Sequence, residues 1–362
     1  MRTLIVLGAT GTMGRRVVEL ALRTLPGVEV VAASRSGEDV AGVRGRAVSV
    51  EDFASLARET PGTARAVVNA VGPYDYDPAR LVTACVEAGI HYTDLAEEPT
   101  FLAAAARAAE TAGAAERGVV VVPGASTVPG LVQLLARTWA KRDDVAEVRA
   151  WLSLGSRNPV GEGLLVGLLR PLGRPTADGT LAFERSVART AATGKVLRYG
   201  RYPTGFAADR LRLGDRRVPV RFLVGFDRAP IVSALVATAP VLARLSDAEL
   251  RRLARAALPA VRALSRLGTR RGSLVLEARD AEGRVLDTLE VVAEREGLGV
   301  PASPPLWVVR KLREGPPPRA GALALDDVVS FDEAVAWLHE AGYAVCGSGE
   351  RAPTIPLRPE TL

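Results

Sequence analysis

The chain has 362 residues, 48% of them hydrophobic and 24% charged, which fits a globular protein of about two domains and excludes extended disorder. Cys85, Cys346, His91 and His339 are isolated in sequence, so they offer neither a disulfide framework nor a Cys/His metal site, and a metal-free protein in a reducing compartment is expected. The formal charge of +6 is carried almost wholly by arginine, with lysine only at 141, 195 and 311, and without a recognition motif it argues against nucleic acid as a partner.

No signal-peptide pattern follows Met1 and Arg2, so a cytoplasmic location is expected. Short apolar runs then alternate with helical patterns, predicting strands at 3–7, 29–33, 46–49, 66–70, 91–94 and 119–122. Helices are predicted between them at 13–25, 50–59, 78–88 and 100–117. This alternation predicts an α/β fold with a Rossmann-type doubly wound parallel sheet over residues 1–128.

The first strand runs straight into Gly8-Ala9-Thr10-Gly11-Thr12-Met13-Gly14 and a helix. That placement makes the glycines a dinucleotide turn: Gly8 for the bend, Gly11 for close approach of the pyrophosphate, Gly14 for tight helix packing. The second strand ends Ala33-Ser34-Arg35-Ser36 without a carboxylate, so Ser34, Arg35 and Ser36 favour NADP(H) over NAD(H). The opposing reading makes Arg35 a solvated cation and gives the ribose to Glu38 or Asp39.

Beyond residue 125 the pattern changes. A helix over 129–142, a strand over 147–154 and a loop-rich stretch over 155–217 are predicted. Next come a strand at 218–226, a helical region over 231–267 broken at Pro240 and Pro259, and an antiparallel hairpin of 273–280 with 285–294 turning at Ala281 to Arg284. The helices are expected to cover one face of that antiparallel sheet, and its long strands offer an edge for a homodimer. Residues 229–243 are apolar but shorter than the ~18 residues a spanning helix needs, and they contain Pro230 and Pro240, so a buried or interface helix is predicted rather than a transmembrane one. A helix from 301 to 314 is stopped by Pro316, Pro317 and Pro318, and Ser330 is placed to cap a last helix through Gly342.

The fourth strand reads Val67-Val68-Asn69-Ala70-Val71-Gly72-Pro73-Tyr74, and Ala84-Cys85-Val86-Glu87-Ala88-Gly89-Ile90-His91-Tyr92-Thr93-Asp94 follows. With the glycine turn, these segments resemble the saccharopine dehydrogenase-like family, closely over residues 1–135. The resemblance implies an NADP-binding Rossmann domain joined by C-terminal helices at about 300–345, and a second, mixed α+β substrate or dimerisation domain over 129–299 inserted before those helices. It also places Asn69, Ala70, Val71, Gly72 and Pro73 on the nicotinamide-ribose side. Three segments depart from the family pattern. Its D-x-x-G-E becomes Asp94-Leu95-Ala96-Glu97-Glu98, its G-x-D-S-x-P becomes Gly124-Ala125-Ser126-Thr127-Val128-Pro129, and Tyr74-Asp75-Tyr76-Asp77-Pro78 lacks the usual glycine.

Tyr74 and Tyr76 are the nearest acid candidates, with Asp94 to orient one of them or a water. The opposing reading has Tyr74 packing under the turn, Asp94 capping it and His91 in the core. No G-x-S-x-G elbow, P-loop or Tyr-x-x-x-Lys pair is present, which removes hydrolase, phosphotransferase and short-chain reductase chemistry. Arg198, Arg201, Arg210, Arg212, Arg216 and Arg217 form either an anion-binding loop or a solvated one, and the arginines of 251–266 an ordinary amphipathic helix. The expected function is an NADP(H)-dependent oxidoreductase acting on a carbonyl, imine or activated alkene of a small or acyl substrate. The alternative is a non-enzymatic NADP-binding regulator or lipid-associated protein.

Overall fold

Strands and helices alternate from the N-terminus in the computed structural model, which describes residues 2–59, 65–191, 195–315 and 319–347. The order is β1 (Thr3–Leu7), α1 (Thr12–Thr24), β2 (Glu29–Ser34), β3 (Gly45–Ala47), α2 (Phe53–Glu59), β4 (Arg65–Asn69), α3 (Ala79–Glu87), β5 (His91–Asp94), α4 (Pro99–Thr111) and β6 (Val120–Val122). These strands pair in parallel in the order β3-β2-β1-β4-β5-β6, the Rossmann arrangement expected. Helix α4 stops short of residue 117 because Gly113 and Gly118 take positive φ and turn the chain toward β6.

After β6 the expected single helix is replaced by a wide π-type turn at Thr127–Val132, one α turn, α5 (Gln133–Ala136), and a tight turn at Arg137–Trp139. In that turn the Leu131 amide reaches back five residues to the Ser126 carbonyl at 2.9 Å, the wider closure that replaces the α-helical ladder. Following β7 (Glu147–Leu154), the stretch expected to be loops instead contains α6 (Glu162–Leu169), β8 (Ser186–Thr190), β9 (Val196–Tyr202) and β10 (Arg210–Leu213). Helix α6 is apolar nearly all round and carries no helical period, while β9 hides Leu197 and Tyr199 between exposed Val196 and Arg198.

Next come β11 (Arg216–Phe226), α7 (Ala229–Leu242) and α8 (Asp247–Ser265). Both helices run through the prolines where breaks were expected. Pro240 and Pro259 are exposed, so carbonyls left without a helical partner face water. The break comes instead at residues 243–246, where Ser246 and Glu249 form a reciprocal capping box. Helix α7, expected to be buried or in an interface, buries only Val232, Ala239 and Leu242. The chain closes with β12 (Gly272–Arg279), β13 (Val285–Ala293), α9 (Gly299–Ala302), α10 (Pro304–Glu314), β14 (Gly321–Ala322), α11 (Leu325–Val328), α12 (Phe331–Glu340) and β15 (Ala344–Gly347). Pro316, Pro317 and Pro318, expected to stop α10, lie outside the described residues.

The described residues fall into two compact units, those within Met1–Leu134 and Pro301–Phe331 and those within Leu135–Val300 and Asp332–Leu362. In the first, β14 adds to β6 as a seventh parallel strand. Ile5, Leu7, Val67, Tyr92 and Val121 pack with α2, α3 and α4, and Leu4, Val6, Ala66 and Val68 pack with α1 and with Leu306 and Val309 of α10. Burial on both faces explains why these strands read as continuous apolar runs. In the second unit the sheet runs β15-β13-β12-β7-β11-β9-β8, with β10 beside β11. It is mixed, not purely antiparallel as expected, because β7 and β11 are parallel. The long excursion through α6, β8, β9 and β10 is the crossover that lets β11 enter alongside β7 in the same direction.

His91, read from sequence as a core residue, accepts the Val120 amide on Nδ1 at 3.0 Å and joins β5 to β6. Burial lowers its pKa to about 4. An unfolded histidine protonates near 6.5, so between those values acid favours unfolding, and this contribution to stability is lost as pH falls. His91→Gln keeps an uncharged acceptor and is expected to remove up to about 3 kcal/mol of that acid sensitivity, read by urea unfolding at about pH 4.5 and about pH 7.5.

Candidate functional site

The chain turns sharply after β1 at Gly8, whose φ of +75° few side chains tolerate. A Cβ there would lie 2.9 Å from the Ala70 carbonyl oxygen, so the end of β4 presses on the turn. A Cβ on Gly14 would lie 2.1 Å from the Gly8 oxygen, so α1 rests its first turn on glycine main chain rather than on the strand. Gly11 caps α1 with no side chain bonded to its amides and no acidic residue in its first turn. Ala9 is buried and donates its amide to the Ala33 carbonyl at 3.1 Å, while Thr10, Gly11, Thr12 and Met13 stay partly or fully exposed. An uncapped helix N-terminus with a side-chain-free rim fits a pyrophosphate, whose charge the helix dipole favours.

At the end of β2, Ser34 is buried, accepts the Gly37 amide at 3.2 Å and lies 3.3 Å from the Ser36 hydroxyl, while Arg35 and Ser36 are exposed. Asp39, the rival ribose ligand, instead accepts the Gly45 amide at 2.8 Å and holds the approach to β3. Arg46 lies one strand over, opposite Ala33, and is exposed. Sequence reading missed this second cation, since only the pairing of β2 with β3 brings it to the same edge.

Asn69 ends β4 fully buried. Its Nδ2 donates to the hydroxyls of Tyr76 at 2.9 Å and Tyr92 at 3.0 Å, and its Oδ1 accepts the Val71 amide at 3.2 Å. Its main-chain carbonyl accepts the Tyr74 hydroxyl at 2.9 Å. Tyr74 sits at φ +59°, a left-handed conformation costing a side chain about 1–2 kcal/mol. That hydroxyl bond and an edge-on contact with Phe101 hold it, and Tyr76 meets the same ring from another side. The residues expected at the nicotinamide side thus differ in kind. Asn69 and Ala70 are buried, while Val71, Gly72 and Pro73 reach the surface across a cis Gly72–Pro73 bond. Of the six arginines singled out in the second unit, Arg201 is held by Asp178 and Asp209, Arg216 by the carbonyls of Arg142 and Val145, Arg198 by Ser186 and Arg210 by the Arg217 carbonyl, while the pairing of β10 with β11 sets Arg212 opposite Arg217.

Residues 4–122 match the profile described as the saccharopine dehydrogenase NADP binding domain. The N-terminal unit is thus similar to that NADP-binding domain, over about a third of the chain. A protein of Mycobacterium tuberculosis, named provisionally as a trans-acting enoyl reductase and found in two strains, is 30% identical over 158 residues. The match covers 40% of this chain and only 37% of those relatives. Among solved structures, apo saccharopine dehydrogenase (L-Glu forming) from Saccharomyces cerevisiae aligns with a TM-score of 0.59 at 14% identity, covering 96% of this chain and 99% of that one. Homospermidine synthase from Legionella pneumophila, solved with NAD, aligns at 0.60 and 11% identity over 100% of this chain and 95% of that one. At these identities the likeness is one of fold.

Within the NADP-binding domain the departures from the family pattern have a physical account. Glu97, a residue missed as a candidate, turns its carboxylate onto the start of the π-type turn, accepting the Ser126 hydroxyl at 2.8 Å and the Val128 amide at 3.3 Å. Burial raises its pKa despite those bonds. Asp94 accepts the amides of Ala96 at 3.0 Å and Gly124 at 2.8 Å through Oδ1, clamping the ends of β5 and β6 together. Desolvation outweighs both bonds and lifts its pKa to about 6. Burial likewise pushes Tyr74, Tyr76 and Tyr92 above the ordinary phenol range, so all three hold their protons at neutral pH.

An unfolded aspartate titrates near 3.9, so between that value and 6 the folded state binds the proton and stability is lost as pH rises. This is the same window as His91 with the opposite sign. Asp94→Asn keeps the acceptor and drops the charge. Its stability relative to the parent is expected to improve by on the order of 3 kcal/mol from about pH 4 to about pH 7, measured by urea unfolding.

Proposed function

We propose that the protein is an NADPH-dependent oxidoreductase that reduces an activated alkene of an acyl substrate, with carbonyl and imine groups as the other acceptors to test. The observation that carries this reading is the uncapped helix N-terminus beside an acid-free β2 edge. Gly8, Gly11 and Gly14 with the amides of Thr12 and Met13 receive the pyrophosphate. Ser34 and Ser36 bind the ribose, and Arg35, with Arg46 across the strand pair, meets the 2′-phosphate. The choice of an alkene draws on the name of the mycobacterial relatives, whose match is partial.

When bound, the nicotinamide supplies the hydride, and this chain's residues orient the acceptor and deliver a proton. Val71, Gly72 and Pro73 border that position. Tyr74 spends its proton on the Asn69 carbonyl. Tyr76 accepts from Asn69 Nδ2 at 2.9 Å and donates to Asn69 Oδ1 at 3.2 Å, a longer bond than the one that holds the Tyr74 proton, so its proton is the one exchanged for a substrate acceptor. Burial keeps that phenol protonated, suiting it to act as an acid and not as a base. Asp94 fixes the segment on which the tyrosines rest.

Calorimetric titration tests the cofactor site. NADPH is expected to bind at least about tenfold tighter than NADH, a difference of about 1.4 kcal/mol, and Arg35→Glu is expected to abolish that preference. A folded protein with no affinity for either nucleotide refutes the reading. With crotonyl and longer enoyl thioesters as acceptors, Tyr76→Phe is expected to lower kcat by about 10²-fold or more while NADPH affinity holds. Cofactor binding without turnover of alkene, carbonyl or imine acceptors would leave a non-enzymatic NADP-binding regulator.

A further inference from the structure

The second unit exposes more apolar surface than folding requires. Of its exposed large hydrophobic residues, Val241 ends α7 at 62% exposure, and Leu253, Leu264 and Leu267 on and just beyond α8 stand at 41%, 67% and 66%. Helix α7 has no charged residue over Ala229–Leu242, and Ser233, Ala234, Ala237, Thr238 and Pro240 are exposed along it. Helix α8 buries Leu250 and Ala254. A different stripe, Leu253, Ala256, Ala260, Leu264 and Leu267, repeats every three or four residues and is exposed throughout. Next to it on the helix surface, exposed Arg252, Arg255, Arg262 and Arg266 follow the same repeat. Residues 228–271 hold nine arginines against two carboxylates, and although Glu162 pairs with Arg255 and Glu294 with Arg271, the segment keeps a clear positive excess.

We propose that the exposed face of α8 forms a docking surface for an anionic phospholipid bilayer, on which the protein sits peripherally. Small and branched apolar side chains without a polar handle suit the acyl boundary, and a flanking row of long arginines reaches phosphate headgroups while its stems stay in the apolar layer. Among the described residues no helix is long and apolar enough to cross a membrane, so the contact is with the surface. Charge decides against a second copy: a two-fold pair would set the same arginine row against itself. It equally favours an anionic over a neutral surface.

The test is flotation of the full chain with vesicles of phosphatidylglycerol and phosphatidylcholine, against vesicles of phosphatidylcholine alone. Binding is expected only to the anionic vesicles, weakening as salt rises. Two variants at exposed positions, Leu264→Asp with Leu267→Asp and Arg262→Gln with Arg266→Gln, are each expected to reduce it at least about tenfold. Thermal unfolding followed by circular dichroism is expected to be unchanged in both. Absence of flotation, equal binding to neutral vesicles, or binding undiminished in either variant overturns the proposal. So does a solution dimer that the leucine changes dissolve, which would make the second copy the occupant.

Discussion

The approach of Gly14 to the Gly8 carbonyl is the contact from which the first unit is organised. With 2.1 Å between that oxygen and any Cβ placed on Gly14, the first turn of α1 sits on bare main chain, and no larger residue can take its place. That closeness fixes where α1 begins relative to β1, and hence where its uncapped amides lie. The end of β4 enters the same constraint, because Ala70 presses on Gly8 from the other side. The position of those uncapped amides therefore follows from main chain alone.

The ends of β4, β5 and β6 are tied by polar groups that the sheet core forces out of water. Asn69 serves three hydroxyl or amide partners on its side chain and two more, the Tyr74 hydroxyl and the Leu95 amide, on its carbonyl, and Asp94 and Glu97 each bridge to the segment after β6. Inside a low-dielectric core such bonds are strong when made and costly when broken, so the segments that border the site are held in one arrangement. The same burial leaves two ionisable groups on β5 with opposite responses to acid. His91 resists its proton and Asp94 retains one, so across the window they share their effects on stability largely offset.

The second unit uses its arginines differently. Burial alone would raise the Glu277 carboxyl, yet Arg279 and Arg189 on either side hold it below the ordinary range, and the Arg189 guanidinium lies 5.8 Å from the centre of the Trp151 ring. Such a pair stays buried because both charges are satisfied, and its net worth to stability is small even though losing one partner is costly. Arg189 and Arg279 are therefore structural, whereas Arg252, Arg262 and Arg266 along α8 are exposed.

The amino-acid sequence alone determined the Rossmann order, the glycine turn and the acid-free edge of β2, because these depend on local periodicity and on residues adjacent in the chain. Its resemblance to a known family, and the position of His91 in the core, were legible for the same reason. What needed the tertiary structure was every feature set by pairing across distance: Arg46 beside Arg35, Glu97 on the turn after β6, and the commitment of the Tyr74 hydroxyl to Asn69. The mixed character of the second sheet was hidden as well. Strand β8 is an edge element paired to β9 and β10 is a four-residue strand paired to β11, both too short to stand out without their neighbours, and α6 has no polar face to mark a period. Helix α7 reads as core in sequence because hydropathy reports what a segment would prefer to bury, and only packing decides whether a neighbour is there to cover it.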